Sequence, residues 1–276
     1  MTGAASLMAI CCLRSGAGLV TLGTPVSCQP LVALAHPSLM TVPLPETASG
    51  HLALDSLQSI QHWSQKSDVV AAGPGWGNRP ALGSIVRWMF DHTPGKLLLD
   101  ADGLNCLASR WQVDDLMREK PPIQSERAPR VLTPHPGEFQ RLWQSASALP
   151  HWSGSGQTAA KTTQRELMEQ QAQQLAAATG CVILLKGART LVTDGQQQYH
   201  NQTGNPGMAT GGSGDCLTGI LAAILAVMPT AYQATCLAAH VHGLAGDLAA
   251  DALGPTAMTS ADLADFLPQA WKSLGN

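Results

Sequence analysis

A glycine-rich segment at residues 204–215 carries the clearest chemical signal in this chain. Its sequence is GNPGMATGGSGD, and it runs directly into an uncharged apolar stretch, residues 216–228, that predicts a buried helix. Glycine allows a positive backbone angle φ and lets a ligand approach bare amides. The amides of Gly212, Ser213 and Gly214 would therefore point out of a helix N-terminus, where phosphate groups bind. The pattern predicts an anion hole at these three residues.

One acid, Asp215, directly follows these glycines. A carboxylate repels phosphate, so its place beside an anion hole requires another role. Asp215 can accept a proton from a hydroxyl group that faces the phosphate, which makes it the candidate catalytic base. The alternative is structural, because an aspartate in an ordinary glycine-rich turn can also cap the helix that follows.

Four further segments follow short apolar runs that predict buried strands. They are GPGWG after residues 69–72, DADG after 96–99, TPHPGE after 131–132 and KG after 182–185. Each segment alone could be a tight turn, a capped turn or the setting of a buried histidine. In open α/β sheets, however, ligands bind beyond the carboxyl ends of the strands. Four such segments on successive strand ends, together with Asp215, predict one binding site.

Strand and helix patterns alternate almost to the end of the chain. Strands are predicted at residues 19–22, 39–42, 69–72, 96–100, 131–133 and 182–186, and a hairpin across 190–193 and 197–200. Helices are predicted at residues 3–14, 52–61, 79–90, 104–107, 136–143, 165–179, 216–227, 231–252 and 260–271. Apolar strands such as KLLLD and CVILLKG are typical of a sheet covered by helices on both faces. The sequence therefore predicts one α/β domain with a mostly parallel central sheet.

The composition argues against several functional classes. Charged residues make up only 13% of the chain and the net charge is −3, so no surface for nucleic acid or for a membrane is expected. The longest apolar stretch is too short to span a bilayer, and the N-terminal segment lacks the leading positive charges of a signal peptide. The seven cysteines, an odd number without a C-x-x-C pair, are typical of apolar fillers in a reducing compartment. We therefore expect a cytoplasmic protein.

Taken together, these segments resemble the ADP- or ATP-dependent NAD(P)H-hydrate dehydratases, a branch of the ribokinase-like superfamily. The resemblance is carried by TGAASL at 2–7, RSGAGLV at 14–20, GPGWG at 73–77, DADGLN at 100–105, TPHPGEF at 133–139, KGART at 186–190 and GNPGMATGGSGD at 204–215. TPHPGE and DADGLN separate this branch from ordinary sugar kinases. The resemblance is strongest to the dehydratase half of bacterial bifunctional proteins whose other half is an NAD(P)HX epimerase.

The resemblance implies a ribokinase-like three-layer α/β/α sandwich. The family normally has a β-strand and a glycine-rich turn before TGAASL, and neither stands in residues 1–276. We therefore expect these residues to form a single domain that lacks the family's first strand. We further expect a homo-oligomer, fused to or working with an NAD(P)HX epimerase.

The resemblance also implies repair of a damaged cofactor. NADH or NADPH that has gained water across a ring double bond carries a hydroxyl group. The enzyme would remove that water from the S epimer at the expense of ADP, giving NAD(P)H, AMP and phosphate. Asp215 would take the hydroxyl proton, and the amides of Gly212, Ser213 and Gly214 would stabilise charge on the transferring group. ADP is expected rather than ATP because bacterial members of the family generally favour it.

Further site residues follow from the same resemblance. Ala4, Gly75 and His135, with Asp215, would line the dinucleotide substrate. The nucleotide would be bound by Lys186, Gly187, Ala188, Arg189, Thr190 and Gly214. Glu138 would help to hold Mg²⁺ through water, since this ion prefers carboxylate and phosphate oxygens.

Two other functions compete with this interpretation. A vitamin or thiazole kinase of the same superfamily would use a similar glycine-rich loop and release a stable phosphorylated product, but TPHPGE and DADGLN argue against it. A non-catalytic nucleotide sensor is the second alternative. The presence of Asp215, Lys186, His135 and Glu138 argues against that one.

Overall fold

Short strands alternate with helices in the computed structural model, which describes residues 1–77, 79–114, 128–148 and 163–275. The strands are β1 Thr21–Pro25, β2 Met40–Leu44, β3 Val69–Ala72, β4 Lys96–Leu99, β5 Arg130–Leu132, β6 Val182–Leu185, β7 Leu191–Thr193 and β8 Gln198–His200. The helices are α1 Thr2–Arg14, α2 Gln29–Ala33, α3 Ser56–Ser64, α4 Pro80–His92, α5 Asp102–Asp114, α6 Pro136–Ser147, α7 Gln164–Thr179, α8 Ser213–Val227, α9 Ala231–Leu253 and α10 Ser260–Ser273. Within the described ranges, no helix combines the length and the apolar character needed to cross a lipid bilayer.

Strands β3 to β8 form the central sheet and pair in chain order. The pairs from β3 to β6 are parallel, and β6-β7-β8 are antiparallel. The mostly parallel sheet and the hairpin at Asp194-Gly195 are therefore confirmed. The predicted bounds of two helices are wrong in part. Helix α3 begins at Ser56 rather than at Leu52, whose backbone bridges to Glu46, and α5 runs over Asp102–Asp114 rather than over 104–107. Helix α2 was not predicted, because its five residues are too few to show a helical period in the sequence.

The central strands are buried on both faces because helices cover the sheet from both sides. Leu97 and Leu99 of β4 pack into a core with α4 to α7. Leu98, which points to the opposite face, packs into a second core with α8, α9 and α10. This alternation is the period of two of a β-strand, and the resulting three layers confirm the predicted α/β/α architecture.

Strands β1 and β2 form a separate two-stranded parallel sheet. A cavity of about 770 Å³ lies between β1 and the outer edge of β3, and its lining runs from Lys66 to Gly77 along the full length of β3. Helix α1 packs along α8 and thereby joins the small sheet to the main body.

The carboxyl ends of β3 to β6 meet at one edge of the central sheet. The Asp100 amide donates to the carbonyl of Ala72 at 3.1 Å, and the Lys186 amide donates to the carbonyl of Pro134 at 2.9 Å. Gly73 has a φ of +120°, and a Cβ atom there would lie 1.9 Å from the carbonyl oxygen of Asp100. Only glycine permits this approach. The four segments predicted to share an edge therefore do so.

Candidate active site

Helix α8 begins inside the glycine-rich segment, at Ser213 rather than at residue 216. Its N-cap is Gly212, whose φ is +96°, and a Cβ atom there would lie 2.5 Å from Ser260 Oγ and 2.7 Å from Leu7 Cδ1. The Ser213 amide donates weakly to the carbonyl of Thr210 at 3.4 Å. The amides that follow lie in the first turn, where an α-helix provides no acceptor of its own. The start of α8 thus has the geometry of an anion hole.

Asp215 lies in the first turn of α8, and the N-cap position belongs to Gly212. Burial raises the pKa of the Asp215 carboxyl to about 6, with further contributions from the negative charges of Asp100 and Asp102. The ammonium groups of Lys186 and the N-terminus oppose this rise. A carboxylate with this pKa is ionised at neutral pH and is a stronger base than an ordinary aspartate, which suits a proton acceptor.

Lys186 places its ammonium beside this first turn. A Cβ atom at Gly214 would lie 3.1 Å from Lys186 Nζ. The ammonium is paired with Asp100, since Nζ lies 2.5 Å from Oδ1. Asp100 is 1% exposed, and its other oxygen accepts a hydrogen bond of 2.8 Å from the hydroxyl of Thr218 on α8. The end of β6, the end of β4 and the start of α8 are thereby joined by one polar network.

His135 and Glu138 form the N-terminal capping box of α6. His135 Nδ1 accepts a hydrogen bond of 3.0 Å from the Gly137 amide, so the ring proton lies on Nε2, 3.2 Å from Glu138 Oε1. Glu138 Oε2 accepts from the His135 amide at 2.9 Å. Burial raises the pKa of Glu138 and Asp100 adds to the rise, whereas the hydrogen bond from the His135 backbone and the Lys186 charge oppose it. The imidazole side chain is 52% exposed and can therefore meet a ligand.

The side chains at the carboxyl ends of the strands fit a Mg²⁺ ion that is held mainly by water and phosphate. In the described ranges, no group of three or more His, Cys, Asp or Glu side chains is close enough to hold a metal ion directly. Magnesium commonly binds proteins through one or two carboxylates and completes its shell with water and substrate phosphates. Glu138, with a free lone pair on each oxygen, fits a contact through water.

The KGART segment forms an exposed loop after β6. Gly187 has a φ of +136° and Arg189 a φ of +53°, and the hydroxyl of Thr190 donates to the Gly187 carbonyl at 3.0 Å. Ala188 lies exposed between them. The guanidinium of Arg165 on α7 braces the loop by donating to the carbonyl of Lys186 at 3.1 Å. The loop thus opens to solvent beside the Lys186 ammonium.

Ala4 and Gly75 lie near the start of α1. Ala4 is buried in the first turn of this helix. The amino group of Met1 donates to the Gly75 carbonyl at 2.7 Å, and Gly75 has a φ of +74°. The charge of the same amino group influences Asp215. The first turn of α1 is therefore close to the candidate base, as a shared site requires.

Two polar residues that support this site were absent from the sequence-based assignment. Thr218 stands within an uncharged apolar run, so nothing in its surroundings marks it. His242 on α9 lies with Nε2 3.0 Å from the carbonyl oxygen of Ser213 and 3.3 Å from its hydroxyl. Burial lowers the pKa of His242 to about 4, so the ring is neutral and donates to that carbonyl. Both residues hold the first turns of α8 in place through these hydrogen bonds.

Comparison with known proteins agrees with this geometry. The family model described as NAD(P)H-hydrate dehydratase matches residues 1–269. The chain belongs to the NAD(P)H-hydrate dehydratase family. The bifunctional NAD(P)H-hydrate repair enzyme Nnr of Moorella thermoacetica is 40% identical over an alignment of 276 positions that covers 99% of this chain and 48% of that protein. This dehydratase-family chain therefore spans about half the length of the curated relatives it matches.

Solved structures place the dehydratase-family chain in the ribokinase-like fold. The ADP/ATP-dependent NAD(P)H-hydrate dehydratase of Bacillus subtilis, co-crystallised with ATP and Mg²⁺, superposes with a TM-score of 0.73 at 25% identity, covering 99% of this chain and 85% of that one. A ribokinase-like superfamily protein from Enterococcus faecalis superposes with a TM-score of 0.70 at 27% identity, covering 98% and 82%. The predicted family and fold are both confirmed.

Proposed function

We propose that this chain dehydrates the S epimer of hydrated NADH or NADPH at the expense of ADP, giving NAD(P)H, AMP and phosphate. The observation that carries the proposal is the position of Asp215. This carboxylate with a raised pKa lies in the first turn of α8, beside the Lys186 ammonium and the anion hole. Family membership supplies the substrate class.

Asp215 carries out the proton transfer of the first step. It accepts the proton of the substrate hydroxyl as that oxygen attacks the terminal phosphorus of the nucleotide, and the bond between this phosphorus and AMP breaks. The amides of Gly212, Ser213 and Gly214 stabilise the charge that builds up on the transferring group. Phosphate is a far better leaving group than hydroxide. The lone pair of the ring nitrogen expels it, and loss of a proton from the adjacent ring carbon restores the double bond.

The nucleotide is assigned to the end of β6. Lys186 provides a point charge for its phosphates, and Gly187, Ala188, Arg189 and Thr190 flank the phosphates or the ribose. Gly214 contacts the nucleotide at the start of α8. When bound, Mg²⁺ neutralises phosphate charge, and Glu138 holds it through water. The Bacillus subtilis relative crystallised with ATP and Mg²⁺ supports the use of a nucleotide and of this ion.

The dinucleotide is assigned to the neighbouring side of the site. Ala4 and Gly75 line it near the start of α1, and His135 offers its exposed ring to a phosphate or amide group. We further propose that the protein acts in the cytoplasm as a homo-oligomer, with an NAD(P)HX epimerase fused to it or working beside it. The bifunctional relatives support the link to an epimerase.

Residues 1–276 are proposed to form one domain. The support for this is that α1 joins the small sheet to α8 and that the cavity between β1 and β3 extends along the whole of β3.

The decisive assay combines hydrated NADH, Mg²⁺ and either ADP or ATP, and follows the absorbance of reduced nicotinamide. Recovery of that absorbance with release of AMP and phosphate supports the proposal. A stable phosphorylated alcohol would instead indicate a kinase. The assay is repeated with the chain extended by the family's first strand, and failure of both proteins with both nucleotides would refute the dehydratase function.

A further inference from the structure

Asp100 is a buried carboxylate to which the catalytic assignment above gives no role. Its side chain is 1% exposed, yet both oxygens are engaged. Oδ1 accepts from the Lys186 ammonium at 2.5 Å, and Oδ2 accepts from the Thr218 hydroxyl at 2.8 Å. The Thr218 oxygen also lies 3.0 Å from the carbonyl oxygen of Gly214. Asp100 therefore ties the lysine at the end of β6 to the first turns of α8.

The Lys186 ammonium is held beside α8 and remains accessible to ligands. Its side chain keeps 20% of its surface exposed, whereas that of Asp100 keeps 1%. A Cβ atom at Gly214 would lie 3.1 Å from Lys186 Nζ and 3.7 Å from Asp100 Oδ2. The carboxylate thus lies behind the lysine, and the ammonium faces the opening of the site.

Asp215 is a carboxylate with which Asp100 competes for this ammonium, and Glu138 on α6, whose pKa the Lys186 charge also lowers, is another. The Lys186 charge already lowers the pKa of Asp215, although burial and the charges of Asp100 and Asp102 prevail. A lysine released from Asp100 would have Asp215 as a neighbouring partner in the same first turn. An ion pair between them would occupy the oxygen that must accept the substrate proton and would make Asp215 a weaker base.

We propose that Asp100 is the positioning residue of this site, holding the Lys186 ammonium away from Asp215 so that the lysine serves the nucleotide while Asp215 stays free for the substrate hydroxyl. This inference rests on the roles proposed above for Lys186 and Asp215. It predicts changes in kcat, in the nucleotide KM and in the pH profile that a carboxylate with a merely structural role would not produce together.

The test is Asp100→Asn, which keeps the shape of the side chain and removes its charge. We expect kcat at the high-pH plateau to fall by about tenfold or more, because the base becomes engaged by Lys186. The nucleotide KM should rise as well, because a lysine that is paired with Asp215 no longer serves the nucleotide. The acidic limb of the kcat profile should move to lower pH, because the groups that then face Asp215 are Asp102, Lys186 and the N-terminal ammonium.

Asp102→Asn is the matched control. Asp102 also raises the pKa of Asp215, but its contact is a hydrogen bond of 2.7 Å from the Gly77 amide. This variant should move the acidic limb in the same direction, and its plateau kcat should fall less than that of Asp100→Asn, because Lys186 stays paired with Asp100. Equal plateau losses in the two variants, an unmoved limb in Asp100→Asn, or an unchanged nucleotide KM in that variant would each overturn the proposal.

A double variant keeps the test decisive if Asp100→Asn does not fold. Lys186→Met and Lys186→Met/Asp100→Asn are compared, since the second removes both charges of the buried pair. Once Lys186 is absent, no ammonium can pair with Asp215, so adding Asp100→Asn should not lower the plateau kcat any further. A further loss of about tenfold in the double variant would overturn the proposal. Failure of the proposed function is distinguishable, because the unmutated protein would then restore no NAD(P)H.

Discussion

At the scale of single residues, the acid–base properties of Asp215 follow from what surrounds it. The carboxylate is partly withdrawn from water and shares its neighbourhood with Asp100 and Asp102, while Lys186 supplies the opposing charge. Burial and like charges stabilise the protonated form, so the pKa rises. Burial and the neighbouring negative charges make the ionised form of Asp215 unfavourable for folding. The resulting rise in its pKa makes this carboxylate a stronger base than an ordinary aspartate.

The pH dependence of turnover tests this assignment. Asp215 must be ionised to accept a proton, so kcat should fall as the pH drops through about 6, the pKa of this carboxyl. One pH unit below that value the loss should be about tenfold. The measurement is kcat at saturating substrates against pH. A profile that stays flat down to the ordinary range of an aspartate would point to another base.

Asp215→Asn should separate catalysis from stability. The amide cannot accept a proton at neutral pH, so kcat should fall by about a hundredfold or more while the nucleotide KM changes little. The raised folded pKa of Asp215 means that its ionisation opposes folding above pH 6. Replacement by a neutral residue should therefore leave the Tm at pH 8 unchanged or raise it. A variant that unfolds, or one that keeps near-full turnover, would contradict the role of catalytic base.

Lys186→Ala should act on nucleotide binding. Its ammonium is the charge next to Gly214, so its loss should raise the nucleotide KM about tenfold or more and leave the KM for the hydrated dinucleotide nearly unchanged. Steady-state kinetics with each substrate varied in turn provide the measurement. Lys272→Ala, which removes an exposed lysine at the end of α10, is the charge-matched control. A nucleotide KM equal to that of the control would remove Lys186 from the site.

At the scale of elements, the start of α8 depends on backbone freedom at one position. Gly212 combines a φ of +96° with a space already occupied by Ser260 and Leu7, which belong to α10 and α1. The amides proposed to form the anion hole are therefore oriented by a turn that α1, α8 and α10 enclose. His242 holds the same turn from α9 through the Ser213 carbonyl.

Gly212→Ala should damage both folding and catalysis. A left-handed conformation and a close contact with Ser260 together should cost about 1–3 kcal/mol of the free energy of unfolding. We expect kcat to fall as well, because the amides of the first turn move. Gly211→Ala is the matched control, since no heavy atom lies within 4 Å of a Cβ built there. Denaturant unfolding and turnover of the two variants decide the matter, and indistinguishable behaviour would count against the assigned turn.

At the scale of the whole molecule, a buried arginine joins elements far from the active site. Arg130 of β5 is 1% exposed. Its guanidinium donates to the carbonyls of Phe90, Thr93, Gly95 and Ala128 at 2.6–2.9 Å. These carbonyls lie at the end of α4, between α4 and β4, and just before β5. Arg130 thus joins the end of α4 to the amino-terminal ends of β4 and β5, which lie opposite the candidate site.

Arg130→Met should lower the stability of the whole fold. Two buried carbonyls, those of Phe90 and Thr93, would lose their donor, and leaving such groups unsatisfied costs about 1–3 kcal/mol each before relaxation. We expect a loss of about 2–4 kcal/mol in the free energy of unfolding, with little change in KM for the protein that remains folded. Arg79→Met, at an exposed arginine before α4, is the control. Equal stability of the two variants would refute the structural role of Arg130.

The sequence by itself determined the architecture and the position of the glycine turn that begins α8. Strand β3 was predicted with its observed bounds, and β4 and β6 within one residue at their carboxyl ends, because strands buried on both faces are continuous apolar runs. Glycines before an uncharged helix marked the turn at Gly212, since only glycine suits that backbone. Position at strand ends also brought Lys186, His135 and Asp215 into one predicted site. These features are local, so the order of residues is enough to reveal them.

Only the tertiary structure decided which polar groups work together. Asp100 and Lys186 stand 86 positions apart in the chain and meet because β4, β5 and β6 are neighbours in the sheet. Thr218 reaches Asp100 across 118 positions, from within a run whose other residues are apolar or glycine. The raised pKa of Asp215 likewise arises from burial and from charges on other elements. Electrostatic and hydrogen-bond energies depend on distance through space, and that distance exists only after the sheet and its helices have packed.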